Sequence, residues 1–94
     1  MNVANSINPP LVLSISYGSH EKYVSDGIHK AFTAQAIKLG TMGITIVAAS
    51  GDDGSNDGAS VNEKGLAGCG YDTFYPASNP FVVSVGATVV RMAV

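Results

Sequence analysis

The chain has 94 residues, a net charge of −2, 46% hydrophobic residues and only 13% charged ones. It has no basic cluster to track a phosphate backbone and no apolar run near the about 18 residues that cross a bilayer, so neither nucleic acid nor membrane is expected as a partner. One small domain is the upper bound, and a chain this small normally carries more polar cover; the apolar excess points to a core piece of something larger.

The start, MNVANSINPP, lacks the charged-then-apolar pattern of a leader, which leaves the compartment open. Residues 11–17, LVLSISY, follow Pro9-Pro10 and stop at Gly18. They are apolar with only small hydroxyls between, the pattern of a strand buried on both faces. Ser25 is a candidate N-cap, with Asp26 in the first turn where a negative charge suits the helix dipole. Val24, Ile28, Phe32, Ala36 and Leu39 recur at helical spacing and Gly40 supplies a stop, which predicts a helix over 26–39, about 21 Å long. His29 falls beside that stripe and is expected at the surface. Residues 44–49, ITIVAA, read as a second buried strand. Strand, helix and strand make a βαβ unit, with parallel strands and a right-handed crossover. Residues 50–72 read as a loop rich in Gly, Ser, Asn and Asp, and loops of that length are usually functional. FYPASNP, with Pro76 and Pro80 restricting its geometry, leads to a third strand over 81–90. The fold class is α/β, a parallel-sheet βαβ core.

Ligands of parallel α/β sheets sit beyond the carboxyl ends of the strands. Two segments end there, SYGSHE and SGDDGS. The simplest reading of SGDDGS is a turn, since Gly, Asp and Ser are common turn formers. The functional reading uses the strand before it and the glycines beside it. Gly51 and Gly54 let the backbone bend and let a substrate chain approach, and Asp52, if protonated, could donate a hydrogen bond to an oxyanion. Burial and the charge of Asp53 would both favour that protonated form. Ser16, Tyr17 and Gly18 offer a strand end to which an extended peptide could add, with Gly18 permitting close approach. A calcium loop is the rival reading: Asp53 to Gly58 matches the start of an EF-hand, but the closing position falls on Lys64 and a strand replaces the required helix. A non-catalytic, calcium-dependent binding module therefore stays open beside the catalytic reading. Ser19-His20-Glu21 reads as a solvated loop entering the helix, because neighbours in sequence rarely form a triad. Cys69 stands alone, either a reduced thiol or half of a bridge made outside this segment. No Cys and His set has metal spacing, and no glycine-rich phosphate cradle is present.

PLVLSISYG, KLGTMGITIVAASGDDG and FYPASNPFVVSVGAT, in this order and spacing, resemble the sedolisin family of serine-carboxyl peptidases, which includes tripeptidyl peptidase I. The resemblance runs from about Pro10 to Thr88. It implies an incomplete piece of a subtilisin-like fold, three-layered α/β/α in the parent. The wider fold carries Asn in an AAxGN-type motif, so Asp at position 52 favours the sedolisin branch. By this resemblance Asp52 matches the oxyanion-hole aspartate, and Ser16, Tyr17 and Gly18 match the strand end that pairs with the substrate. The implied parent is an endopeptidase or tripeptidyl peptidase that cleaves peptides or proteins at acid pH through a serine nucleophile, with a glutamate as base and an aspartate behind it. It would be secreted or lysosomal or vacuolar, and its calcium would lie in the domain outside this segment. Two departures stand out. The family's SGDSG is SGDDG here, and neither the E-x-x-x-D pair nor the G-T-S nucleophile motif occurs in these residues. The 94 residues are therefore expected to need the remainder of a peptidase domain as partner, and to be inactive without it.

Overall fold

The computed structural model describes residues 3–54 and 72–92. Its centre is a three-stranded parallel sheet built from β1 (Val12–Ile15), β3 (Thr45–Ala49) and β5 (Val83–Val85), in the order β1-β3-β5. Val12 pairs with Thr45 and Ile15 with Ala48, while Val47 pairs with Val83 and Ala49 with Val85. A two-stranded antiparallel ribbon joins β2 (Ser19–His20) to β4 (Phe74–Tyr75). Short 3-10 turns occupy Val3–Asn5 and Glu21–Tyr23.

The helix α1 runs Asp26–Thr41, with Ser25 as its N-cap accepting from the Ile28 N–H at 3.4 Å. Ser25→Ala is expected to lower unfolding stability by about 1 kcal/mol, seen as a lower urea midpoint at unchanged slope. The helix passes through Gly40, the expected stop. Gly43, at φ 80°, ends it instead. There the Ile44 N–H bonds the Leu39 carbonyl and the Gly43 N–H the Gly40 carbonyl, each at 3.0 Å. These are the paired bonds of a Schellman close, which needs its left-handed residue three places later than Gly40.

Because side chains alternate along a strand, one sheet face carries Leu13, Ile15, Ile44, Ile46 and Ala48. Ala36 and Leu39 of α1 pack there with Ile44 and Ile46, joined by Phe32 and Val82. The opposite face is open, with Val12, Val83 and Val85 at 58%, 51% and 50% exposure. The strands are thus buried on one face rather than both. Parallel sheets are covered twice, and the described residues carry one covering helix.

The strand expected over 81–90 is paired only at Val83–Val85. Phe81 and Val82 belong to the preceding turn. Beyond Val85 the partner strand has already ended: the Ser50 N–H still reaches the Val85 carbonyl at 3.1 Å, and Gly51, at φ 100°, then turns β3's chain away. Most of the loop expected over 50–72, the calcium-loop alternative and Cys69 lie outside the described residues. Among the described residues no helix is long and apolar enough to cross a membrane.

Candidate active site

Three parallel strands bring three chain ends to one rim: Ser16–Gly18 after β1, Ser50–Asp53 after β3, and Gly86–Ala87 after β5. Two cavities open at this rim, with Phe74 of the ribbon β2–β4 on the border of both. One, of about 630 Å³, is lined by Ser50, Asp52, Thr73, Ser78 and Gly86 among others. The second, of about 330 Å³, is lined by Ser16, Tyr17, Gly18, Asp53 and Ala49 among others. Gly51, Asp52 and Phe74 line both.

All five residues singled out from the sequence therefore meet at one place. Asp52 sits between the two cavities, Ser16, Tyr17 and Gly18 border the smaller one, and Gly51 makes the turn that puts Asp52 there. The positive φ values of Gly51 (100°) and Gly54 (69°) are conformations that side chains other than glycine's adopt at a cost. Asp52 and Asp53 are both exposed. The burial expected around Asp52 is not provided by the described residues, which form only one side of the cleft. Tyr17 is 86% exposed at the same rim.

Gly18 also has a close neighbour within the chain itself. A Cβ at this position would overlap the Tyr75 carbonyl oxygen and the Phe74 ring. The close approach it permits is that of β4, within the same chain. The same ribbon explains Ser19-His20-Glu21, which forms β2 and the start of a 3-10 turn rather than a solvated loop. His20 and Glu21 turn toward the 72–78 segment instead of toward each other. His20 Nδ1 and Lys22 Nζ lie 3.3 Å and 3.2 Å from Asp72. Glu21 accepts from the hydroxyls of Thr73 and Ser78. His29 is half-buried and edge-on to Tyr75, ring centres 4.4 Å apart, so it belongs to the packing of α1 on β4 and not to the surface.

Partial burial works to raise the Asp72 carboxyl, but the Lys22 ammonium, the Thr73 N–H and His20 together hold it below its ordinary value of 3.8. A carboxyl lowered by folding adds stability above its unfolded pKa and loses it as pH falls through the folded one. Asp72 therefore keeps its pairs to lower pH than an unpaired aspartate would keep its charge. Asp72→Asn is expected to flatten the dependence of the melting temperature on pH below about 4, read by calorimetry at a series of pH values. Burial beside His29 and Phe32 pushes the Tyr75 phenol above 10.0; Asn79 opposes this and the charge of Glu21 adds to it.

Phe74, Thr73 and Ser78 were not singled out from the sequence, and Glu21 was read there only as part of a solvated loop. The available signal was FYPASNP, an aromatic pair followed by two prolines four residues apart, after a long polar stretch. Its Tyr75–Pro76 bond is cis, and buried Asn79 accepts from the Phe81 N–H at 3.0 Å while donating to Thr33 Oγ1 at 2.9 Å. That fastens the turn to α1 and presents Phe74 to the cleft.

No protein-family model matches the chain. Among curated proteins it is 40% identical over 80 residues to tripeptidyl-peptidase SED2 of Arthroderma otae, a match covering 85% of this chain and 13% of that protein. It is 36% identical over 84 residues to tripeptidyl-peptidase sed1 of Aspergillus fumigatus, again 85% of this chain and 13% of the relative. Aorsin of Aspergillus oryzae is 35% identical over 86 residues, 87% of this chain and 13% of aorsin. In structure the chain superposes with a TM-score of 0.77 and 31% identity on Pseudomonas sedolisin, a serine-carboxyl proteinase solved with two molecules of pseudo-iodotyrostatin, over 98% of this chain and 25% of that one. The chain thus spans about an eighth of the length of the curated relatives it matches.

Proposed function

Since the chain belongs to the sedolisin family of serine-carboxyl peptidases, as part of the catalytic domain, we propose that it forms one wall of the substrate cleft and the oxyanion-binding side of a peptidase that hydrolyses peptide bonds at acid pH. The observation that carries this is the position of Asp52. It stands at the carboxyl end of the central strand, between two cavities, and across from the strand end Ser16–Gly18.

In this reading an extended peptide lies along Ser16–Gly18 and adds to the β1 edge through its backbone. That leaves the scissile carbonyl near Asp52. When the nucleophile attacks, negative charge gathers on the carbonyl oxygen, and a protonated carboxyl at Asp52 donates to it. An ionised carboxylate would repel the same oxygen, which is why such a device suits acid. The serine nucleophile and its glutamate base come from outside these residues, so the 94-residue chain alone is inactive: without attack there is no oxyanion to stabilise. Gly51 supports the reading by making the positive-φ turn that carries Asp52 to the rim.

The calcium implied by the resemblance has no ligand set among the described residues, where no three of His, Cys, Asp and Glu converge. No step here runs through a metal.

The test is cleavage of an internally quenched peptide between pH 3 and 8 by the full-length protein that carries this segment. Hydrolysis greatest in acid and blocked by a peptide aldehyde supports the reading. A protein that carries the nucleophile and base motifs and yet cleaves nothing across that range ends it.

A further inference from the structure

Glu21 opens the 3-10 turn that follows β2, five residues after Ser16. Its Oε2 accepts from Thr73 Oγ1 at 2.5 Å, its Oε1 from Ser78 Oγ at 3.1 Å, and its N–H donates to the Thr73 carbonyl at 2.9 Å. Thr73 and Ser78 both line the larger cavity, and Phe74 between them lines both cavities. One carboxylate therefore grips a cavity wall at two points and fastens it to the segment leaving β1, which borders the other cavity. Hydroxyl-to-carboxylate bonds of this kind are roughly twice as strong as neutral ones.

A purely structural role is the plainer explanation. The local fold, however, is already held by the β2–β4 ladder, by Asn79 on Thr33, and by Asp72 with His20 and Lys22. Glu21 adds something those contacts do not: it ties the Thr73 and Ser78 hydroxyls, on either side of Phe74 in the larger cavity's wall, to the segment leaving β1. We infer that Glu21 is a positioning residue that sets the width of the substrate cleft. This rests on the peptidase reading above. A wall that touches substrate equally before and during reaction contributes uniform binding, so its displacement raises KM and leaves kcat nearly alone.

In the full-length protein, Glu21→Ala is expected to raise KM for a quenched peptide about tenfold with kcat within about twofold. Glu21→Gln recovers most of the loss, because its amide accepts from one hydroxyl and donates to the other. Backbone amides of residues 72–78 exchange faster in the alanine variant and return in the glutamine one, while those of 30–39 do not change. Ser78→Ala, which removes one donor and no charge, shifts KM in the same direction by less, and carries the test if the Glu21→Ala protein does not fold. A variant that melts lower but keeps the parental KM overturns the positioning role, as does unchanged exchange over 72–78. Failure of the unsubstituted protein to cleave any peptide is a separate result, which overturns the peptidase reading and the substrate role with it.

Discussion

Asp52→Ala is expected, on the reading proposed above, to lower the kcat of the full-length protein about a hundredfold or more, the usual scale for removing one oxyanion donor, with KM little changed. The interaction lost exists only after the carbonyl has become an oxyanion, so ground-state binding does not register it. Asp52→Asn separates this role from a structural one. An amide donates without holding a titratable proton, so this variant is expected to keep substrate binding and to lose the fall in rate that deprotonation of an oxyanion-binding aspartate would cause as pH rises toward neutrality. A pH–rate profile that flattens on the alkaline side in Asp52→Asn, beside a deep loss of kcat in Asp52→Ala, is the expected pair of results. Parental turnover in Asp52→Ala would remove Asp52 from the reaction. In the chain itself Asp52 is exposed, and the water around it weakens any hydrogen bond it makes. The substrate and the rest of the domain would have to close over the cleft for the donor to reach full strength.

The sequence exposed the sheet and its rim because both follow from short-range patterns. ITIVAA and LVLSISY are apolar runs of strand length, and the stripe from Val24 to Leu39 has helical spacing, so the βαβ order and the placing of Ser16–Gly18 beside Asp52 could be read directly. What stayed hidden depends on contacts between distant residues. Gly40 and Gly43 are equally plausible stops in a sequence; only the Leu39 carbonyl meeting the Ile44 N–H selects the second. The Phe74–Tyr75 strand is two residues long and pairs with Ser19–His20, more than fifty positions earlier, so no local periodicity announces it. His29 sits off the apolar stripe by spacing, yet Tyr75 reaches across and covers it. Glu21 looked solvated because its two donors lie 52 and 57 residues away. The same limit hid the chain's own β4 as the backbone that crowds Gly18.

Gly18→Ala is therefore expected to destabilise the protein by at least about 1–3 kcal/mol, the usual cost of forcing an extra carbon into a packed site, and to lower kcat/KM in what remains folded. The added Cβ would collide with the Tyr75 carbonyl oxygen and the Phe74 ring. A side-chain tip could swing away, but a backbone carbonyl cannot. Relief has to come from displacing β4, which the ribbon pairing, Glu21 and Asn79 all hold in place. Because Phe74 lines both cavities, the same displacement deforms the cleft, so stability and activity fall together. Gly27→Ala supplies the control. It lies in the first turn of α1 with nothing within 4 Å of an added Cβ, and alanine there should stabilise by about 0.5–1 kcal/mol through helix propensity. Thermal melts of the two variants should thus move in opposite directions from the parent. A Gly18→Ala protein that melts with the parent and cleaves peptide at the parental rate would show that β4 does not press on the end of β1 and does not shape the cleft.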